Sequence, residues 1–358
     1  MARARPSYLR PHQPIFRQRI IHGAVEVGRT PGLIPGPNPF ILGIASSADL
    51  NGALSVDAYG TSYVAVAASS ADRLVMMDVS DPSTPTVAGS VTDTVLNGAT
   101  GVAVTGDYAI VGSQSASGYV AVVDISTPAS PSVVGSVTGG LVSGAQFVTV
   151  SGNHAYVSCY DFDRIAVVDI STPASPAIVG SVTDGTNLNG PYRSVVSGSY
   201  LYVACDLSNA LTVVDISTPA SPSVVGSVSD ATYLAGALSV AVSGSYAYVG
   251  GYADYFVVVD ISTPASPAIV TQILDSSLLG NLADIKIVGS YAHAVTYGTF
   301  ALSTYVVVDI STPASPAIYD YVTDTTDFTD PHGLVIIDNH AYVARDNNTT
   351  QNFAVVEF

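Results

Sequence analysis

The motif VVDISTPASP, with small variations, recurs along the chain at a nearly constant interval. Its copies are centred on Asp78, Asp124, Asp169, Asp215, Asp260 and Asp309, and a truncated copy, VVEF, ends the chain at Glu357. Successive copies are 46, 45, 46, 45, 49 and 48 residues apart. Each interval is rich in β-branched residues, which favour strands. Units of this length predict an all-β, seven-bladed β-propeller, with one blade per unit.

One unit shows what each blade should contain. Between Pro176 and Pro219, the runs AIVGSVT, RSVVSG, YLYVA and LTVVDIS alternate with polar loops and Gly-containing turns. Each run has the length and composition of a short strand. The prolines of STPASP lack the amide hydrogen that continued strand pairing needs, so they turn the chain. Every unit is therefore predicted to form a four-stranded blade.

The repeat resembles that of the LVIVD-repeat family of β-propellers. The resemblance rests on RLVMMDVSDPSTPTVAGSV (residues 73–91) and RIAVVDISTPASPAIVGSV (residues 164–182), and it covers nearly the whole chain after residue 38. It implies a surface or extracellular module in which the GSV strand is outermost in each blade. By that order, Phe40–Ala45 should be the outer strand of the blade that holds Phe353–Phe358. The ring would then close without an open sheet edge.

Charge divides the chain into two predicted regions. The first 29 residues hold six basic residues and one acidic residue, whereas the remainder holds five basic and 27 acidic residues. We therefore predict a basic, Pro-rich extended arm over residues 1–37 and a propeller over residues 38–358. An acidic surface repels phosphate, so the propeller is not expected to bind nucleic acid. The apolar runs are far shorter than the roughly 18 residues that span a bilayer, so no membrane span is predicted.

The arm is predicted to tether the propeller to other subunits of a larger assembly. Its prolines would break an amphipathic helix, and it lacks the apolar core of a secretory signal. Its apolar side chains would anchor it, while its arginines would pair with an acidic neighbour. The predicted tether residues are Arg3, Arg5, Tyr8, Arg10, Phe16, Arg17, Arg19 and Ile20.

The repeats hold one face of the propeller constant and vary the other. The STPASP turns are almost identical among the internal copies, and the aspartate before each is expected to accept backbone N–H groups. The loops of the opposite face share length but not residues, which favours a binding role; neutral drift of solvated loops is the alternative. The candidate ligand- or partner-binding residues are Tyr160, Asp161, Phe162, Asp163, Arg164, Tyr252, Asp254, Tyr255, Tyr297, Phe300, His332, Arg345 and Asp346.

The sequence lacks several common catalytic motifs. It contains no HExxH, GxSxG or CxxC, and no GxGxxG between a strand and a helix. We therefore predict a protein that is not an enzyme and has no cofactor or metal. An Asp-based glycan-active enzyme, using Asp161 or Asp163 with Asp254, is the alternative. Cys159 and Cys205 occupy equivalent places in adjacent units, so they should be ~10 Å apart, buried and free.

Two functional hypotheses follow from these features. The first is a structural or attachment subunit of a large assembly, namely a virus or phage particle, whose propeller is displayed to bind a host-surface protein or glycan. A virion protein reaches a surface without an export signal because particles leave by lysis. The second is a bacterial or archaeal cell-envelope propeller that binds glycan or protein. The first places the protein in the virion, and the second places it outside the cell or on its surface.

Overall fold

The described part of the chain forms seven antiparallel, four-stranded sheets, and each sheet is one blade of a propeller. The computed structural model describes residues 39–115, 117–297, 303–324, 328–346 and 352–358. The predicted arm and all of its tether residues lie outside these ranges. Three 3-10 helices occur among the described residues, at Ala48–Leu50, Thr94–Leu96 and Tyr160–Phe162. The predicted fold class is therefore confirmed.

Strands occupy equivalent places in every blade. The innermost strands are β2 (Ala53–Tyr59), β6 (Ala99–Thr105), β10 (Ala145–Ser151), β14 (Pro191–Ser197), β18 (Ala237–Ser243), β22 (Leu282–Val288) and β26 (Pro331–Ile337). The second strands are β3 (Tyr63–Ala68), β7 (Tyr108–Ser113), β11 (His154–Cys159), β15 (Tyr200–Cys205), β19 (Tyr246–Gly251), β23 (Tyr291–Thr296) and β27 (His340–Arg345). The third strands are β4 (Arg73–Asp78), β8 (Tyr119–Asp124), β12 (Arg164–Asp169), β16 (Ala210–Asp215), β20 (Tyr255–Asp260), β24 (Ser303–Asp309) and β28 (Phe353–Glu357). The outer strands are β5 (Thr86–Thr92), β9 (Ser132–Thr138), β13 (Ala177–Thr183), β17 (Ser223–Ser229), β21 (Ala268–Leu274), β25 (Ala317–Asp324) and β1 (Phe40–Ala45).

The two ends of the chain share the last blade. Blades 1 to 6 each use four consecutive strands, beginning at β2, whereas blade 7 combines β26, β27 and β28 with β1. In the closing pair, Phe40 lies opposite Glu357 and Ala45 lies opposite Phe353. The predicted closure by Phe40–Ala45 is confirmed, and it leaves blade 7 with the same four strands as the others.

The hydrophobic core lies between neighbouring blades rather than inside any one of them. Between blades 4 and 5, for example, Leu211 and Val213 belong to one buried cluster with Val240, Val249 and Val257. Each fully buried aliphatic side chain of this size contributes about 1.5–3 kcal/mol. Because each sheet is covered on both sides, most residues of its middle strands are apolar. Cys159 and Cys205 are both buried and free, as predicted.

The glycine of GSV has a packing reason to recur. At Gly180 in blade 3, a Cβ atom would collide with the Pro219 carbonyl oxygen in the STPASP turn of blade 4. Gly89, Gly135 and Gly226 meet the equivalent turn of the next blade in the same way. The outer strand can approach that turn closely only without a side chain, so the repeat fixes how one blade sits against the next.

The STPASP turns define one face of the disc, which we call the motif face. There the Ser217 N–H donates to the Asp215 carboxylate at 2.8 Å, and Ser171 donates to Asp169 in the same way at 2.8 Å. Hydrogen bonds from the serine hold the pKa of each of these carboxyls below its usual value. The predicted turn role of the motif aspartates is confirmed. The opposite face, which carries the loops after the second strands and the linkers between blades, is the variable face.

Candidate functional site: the mouth of the variable face

Equivalent positions form a ring around the variable face. Each member directly follows the second strand of its blade, and most donate a backbone N–H to the carbonyl of the linker that precedes that blade. These donors include Asp206 to Gly190 (2.9 Å), Tyr252 to Gly236 (3.1 Å), Tyr297 to Asn281 (3.2 Å) and Asp346 to Asp330 (3.0 Å). Across the seven blades the positions are Ser69, Gln114, Tyr160, Asp206, Tyr252, Tyr297 and Asp346. The ring therefore contains three tyrosines and two aspartates, and these backbone bonds position Asp206, Tyr252, Tyr297 and Asp346 in it.

A bulge in the innermost strands adds a second layer of side chains at the axis. Every innermost strand shifts register after its first residue, as between Pro191 and Ser194 in blade 4 and between Pro331 and Gly333 in blade 7. Bulges of this kind redirect side chains next to functional sites. Here the bulges carry Tyr192 and His332, which join the ring at the mouth of the axial channel.

Aromatic rings from consecutive blades meet at this mouth. Tyr160 of blade 3 makes an edge contact with Tyr192 of blade 4, with ring centroids 6.2 Å apart. Tyr297 of blade 6 stacks on His332 of blade 7 at 4.6 Å. Tyr252 of blade 5 lies between these pairs, where it hydrogen bonds to Tyr297. The five rings make a nearly continuous aromatic surface across blades 3 to 7.

The tyrosine hydroxyls at the mouth are hydrogen-bond donors at neutral pH. The Tyr160 hydroxyl donates to the Asp206 carboxylate at 2.6 Å. Burial, assisted by Asp206, raises the pKa of Tyr160 well above its usual value. Burial and the hydrogen bond with Tyr252 raise the pKa of Tyr297, and burial raises that of Tyr192 to about 12. None of these three phenols would ionise at neutral pH, so they act as neutral polar groups.

Carboxylates flank the aromatic surface. His332 Nε2 lies 3.5 Å from Asp330 Oδ1, whose side chain is 46% exposed. Burial raises the pKa of Asp346, although the neighbouring His332 opposes that shift. Together with Asp206, these groups give the mouth acceptors beside the tyrosine donors. Such a surface can hold hydroxyl groups through hydrogen bonds and apolar groups against the rings.

Exposed apolar side chains extend this surface outward over blades 3 to 5. Phe162, Leu207 and Tyr252 are 45%, 55% and 48% exposed. Each lies over a linker glycine, and a Cβ atom at Gly236 would overlap the Tyr252 ring. Gly236 also has a φ of +61°, a conformation that favours glycine. We call Leu141, Phe162 and Leu207, which are all exposed on the variable face at blades 3 and 4, the apolar arc.

The structure brings some of the predicted site residues together. Tyr160, Tyr252, Tyr297, His332 and Asp346 all lie at the mouth, and the exposed residues Asp161 and Phe162 adjoin it. Phe300 lies outside the described residues. The binding role of all these residues stays a prediction.

Other predicted residues support the loops instead. Asp163 adopts a left-handed conformation and accepts the Gly190 N–H at 3.1 Å, and Asp254, two blades along, is also left-handed. Arg164 donates to the Gly140 carbonyl at 2.7 Å. Tyr255 packs on Tyr233 at 5.2 Å, away from the mouth. Asp163 and Asp254 each directly precede the third strand of their blade, blades 3 and 5, and the enzyme role of this pair stays a prediction.

Arg345 is the predicted site residue that is most deeply buried. Its side chain is fully buried, and its guanidinium donates to the carbonyl and hydroxyl oxygens of Thr329, both at 2.8 Å. It therefore holds the linker of blade 7 in place, and it positions Asp330 and Asp346 rather than facing a ligand.

Sequence reasoning missed three contributors to the mouth: Tyr192, Asp206 and Asp330. Asp206 had a usable signal, because Tyr160, Asp206 and Tyr252 are each 46 residues apart and so occupy the same place in their units. Tyr192 lies at a bulge, and Asp330 lies in a linker. The sequence repeat identifies neither position.

Arg193 closes the channel below the mouth. Its guanidinium donates to the carbonyl oxygens of Ala283 (3.1 Å), Leu54 (3.2 Å) and His332 (2.8 Å), and it lies 4.3 Å from the centre of the Phe147 ring. These partners belong to blades 6, 1, 7 and 3. The arginine thus crosses the axis and forms a floor beneath the aromatic surface.

Comparison with known proteins establishes the class of the fold. The LVIVD repeat family model matches residues 53–93, 98–139, 144–184, 193–230, 236–275 and 279–324. The chain therefore belongs to the LVIVD-repeat family, as the sequence resemblance predicted. No curated protein matches the chain.

Solved structures share the fold at low sequence identity. A protein from Lactobacillus plantarum is 14% identical with a TM-score of 0.66, covering 88% of this chain and 91% of that one. A functionally unknown protein from Desulfotomaculum acetoxidans is 13% identical with a TM-score of 0.63, covering 83% and 90%. A "putative 6-phosphogluconolactonase" from Bacteroides uniformis is 12% identical with a TM-score of 0.66, covering 84% and 90%.

The last of these structures corrects one prediction. The absence of common motifs led us to predict that the protein is not an enzyme. That prediction was wrong, because the missing motifs do not exclude an enzyme. The same propeller fold occurs in a structure described as a lactonase, so the fold is compatible with an enzyme as well as with a binding protein.

The described residues include no helix that is both long and apolar enough to cross a bilayer. Within the same ranges, no three His, Cys, Asp or Glu side chains are grouped so that they could hold a metal ion.

Proposed function

We propose that this propeller is the displayed, ligand-binding part of a large assembly, and that it attaches to a host surface by holding a glycan at the mouth of its variable face. One observation carries the proposal: tyrosines from four consecutive blades converge on a single mouth beside carboxylates. The assembly we propose is a virus or phage particle, with the arm as its tether. A cell-envelope propeller with the same ligand is the alternative setting.

The chemistry of the mouth suits a sugar. The tyrosine rings offer flat apolar surfaces to the C–H faces of a sugar ring, while their hydroxyls offer donors and acceptors to its hydroxyl groups. The Asp206 carboxylate, already bonded to Tyr160, has further lone pairs for sugar hydroxyls. Tyrosine also loses little side-chain entropy on binding because it has only two side-chain torsions. A rigid scaffold that presents varied loops is a common design for recognition.

The apolar arc favours a second candidate, a host-surface protein. Leu141 is 42% exposed, and with Phe162 and Leu207 it would suit the apolar centre of a protein interface better than a sugar. The two candidates use different parts of one face, so separate variants distinguish them.

Glycan-array binding with the full-length chain tests the proposal. Wild-type protein is expected to bind a set of glycans, and Tyr160→Ala combined with Tyr252→Ala should weaken that binding at least about tenfold. Tyr255→Ala is the matched control, because Tyr255 packs on Tyr233 away from the mouth. Phe162→Ser combined with Leu207→Ser should leave glycan binding unchanged. If wild-type protein binds no glycan but binds host cells in a way that the arc variant abolishes, the protein candidate replaces the glycan.

The tether is tested separately. Removal of residues 1–30 should leave a folded propeller that still binds its ligand but no longer enters the assembly. Incorporation of the truncated chain at wild-type levels would contradict the tether.

A further inference from the structure

The axial channel contains a polar cavity on the other side of Arg193 from the mouth. Its volume is about 240 Å³. A single water needs about 10–15 Å³ of such space, so the cavity has room for a molecule of many non-hydrogen atoms. Its polar lining comes from the innermost strands: Ser55, Asp57, Thr149, Arg193, Ser194, Asp284 and Lys286.

This cavity is separate from the candidate glycan site. The Arg193 guanidinium bonds to carbonyl oxygens of blades 1, 6 and 7, so it forms the roof of the cavity as well as the floor of the mouth. The lining extends from Arg193 to Asp57 and Lys286, which lie farther along their strands toward the motif face. A ligand would therefore enter from the motif face.

Two cations in the cavity share one buried carboxylate. Lys286 Nζ lies 3.1 and 3.3 Å from the two oxygens of Asp284, and Arg193 Nη1 lies 3.4 Å from one of them. The Asp284 side chain is only 4% exposed, and it also accepts backbone N–H groups from Ile285 (2.9 Å) and Leu334 (3.0 Å). Lys286, by contrast, is 41% exposed, so its ammonium can accept another partner.

Asp57 is the second acid that lines the cavity. Both oxygens of Asp57 accept backbone N–H groups, from Ala58 at 2.9 Å and from Val104 at 2.7 Å. Burial nevertheless raises the pKa of Asp57, which favours its uncharged form. The exposed Lys286 ammonium is the charged donor that a ligand entering the cavity would meet, and a carboxylate would complement it.

Hydroxyl groups on the opposite wall favour a ligand that itself carries hydroxyls. Thr149 Oγ1 and Ser194 Oγ lie 2.9 Å apart, and Thr149 also bonds to the Ser194 carbonyl at 2.9 Å. We propose that this cavity binds a small hydroxylated carboxylate of the class of a monosaccharide acid. Its carboxylate would lie on Lys286, and its hydroxyls would face Thr149, Ser194 and Asp57. This site does not depend on the glycan proposal.

A matched pair of sugars tests the site by calorimetry on the full-length chain. D-glucuronate carries the carboxylate and D-glucose lacks it, while the ring hydroxyls are the same. Glucuronate should bind at least about tenfold more tightly than glucose. Lys286→Met should remove that difference, Lys286→Arg should retain part of it, and Tyr160→Ala should leave it unchanged. Circular dichroism and thermal melting establish that each variant is folded.

The composition of the chain offers a second readout. Lys286 is the only lysine, so an amine-acetylating reagent can modify only Lys286 and the N-terminal amine. Glucuronate should slow acetylation of Lys286 by severalfold without affecting the N-terminal amine, as measured by mass spectrometry. The proposal is overturned if wild-type protein fails to bind glucuronate at millimolar concentrations, if glucose binds equally well, or if glucuronate leaves Lys286 unprotected.

Discussion

The motif face and the variable face use one backbone repeat in opposite ways. On the motif face, side chains do the repeated structural work: Asp169 and Asp215 each hold the N–H of the serine two residues later at 2.8 Å. At the ring positions of the variable face, the repeated bond is made by the backbone, as when Asp206 and Tyr252 donate their N–H groups to linker carbonyls. Their side chains are therefore not needed to form the turn. The difference teaches that a repeat protein can change a side chain freely at a position where only the backbone makes the structural hydrogen bond.

Deletion of residues 38–46 should have the largest effect on stability. It removes β1, the outer strand that both ends of the chain rely on for closure, and exposes the edge of β28. We expect a loss of several kcal/mol in the free energy of unfolding, because a blade interface is lost with the strand. Thermal melting measures this loss. An unchanged melting temperature would show that the ring does not need its closing strand.

Arg193→Met tests the comparison between the two faces at a residue that lies below the mouth of the variable face and stabilises the fold. It leaves the Asp284 carboxylate, 4% exposed, without one of its two cations and removes the Arg193 donor from three carbonyl oxygens. We expect a cost of about 3–5 kcal/mol, as for other broken buried ion pairs.

Arg164→Met is the matched control, since Arg164 lies in a loop of the same face and bonds to the Gly140 carbonyl and Thr183. It should cost less than about 1 kcal/mol. Urea denaturation of both variants makes the measurement. Equal costs would mean that Arg193 is only another loop arginine.

The burial of His293, which lies on neither face, predicts that the free energy of unfolding depends on pH. It lies on β23, where its Nδ1 is 2.7 Å from the Tyr305 hydroxyl and its ring is 4.3 Å from that of Phe358. Burial lowers the pKa of His293 from 6.5 to about 4. Since the folded pKa is the lower one, the unfolded chain binds the proton more readily. Stability is therefore complete above pH 6.5 and is lost as the pH falls toward 4.

This shift corresponds to about 3 kcal/mol at the acid end of that range. Denaturation at several pH values between 7 and 4 measures it. His293→Gln should flatten the decline, because it removes the titrating ring. Identical pH profiles for His293→Gln and wild type would contradict the assignment.

Much of the fold was predictable because it depends on local, repeated chemistry. Strand-breaking prolines, turn aspartates and the GSV glycine recur in register, so the phase of the repeat at Phe40 and Phe353 was enough to predict the closure of the ring. Tyr160 and Tyr252 were found for a related reason, because they occupy equivalent places in loops whose residues differ from one unit to the next.

The remaining parts of the site could not be read from the sequence because they depend on contacts across the ring. Arg193 bonds to Ala283, 90 residues later in the sequence, and to His332, 139 residues later. No local sequence pattern predicts contacts over such separations. Arg345 looks like an exposed loop arginine in the sequence, yet its charge is buried against Thr329. Tyr192 depends on a bulge that only the strand pairing reveals.

Paired variants on the two faces test the central claim most directly, namely that the motif face stabilises the fold and the variable face binds the host surface or glycan. Asp215→Ala should lower the free energy of unfolding by about 1 kcal/mol, since it removes a turn hydrogen bond, and leave binding to host cells or glycan unchanged. Tyr160→Ala with Tyr252→Ala should change stability by less than about 1 kcal/mol and weaken binding at least about tenfold. If Asp215→Ala weakens binding while the tyrosine pair leaves it intact, the motif face is the contact surface and the account is wrong.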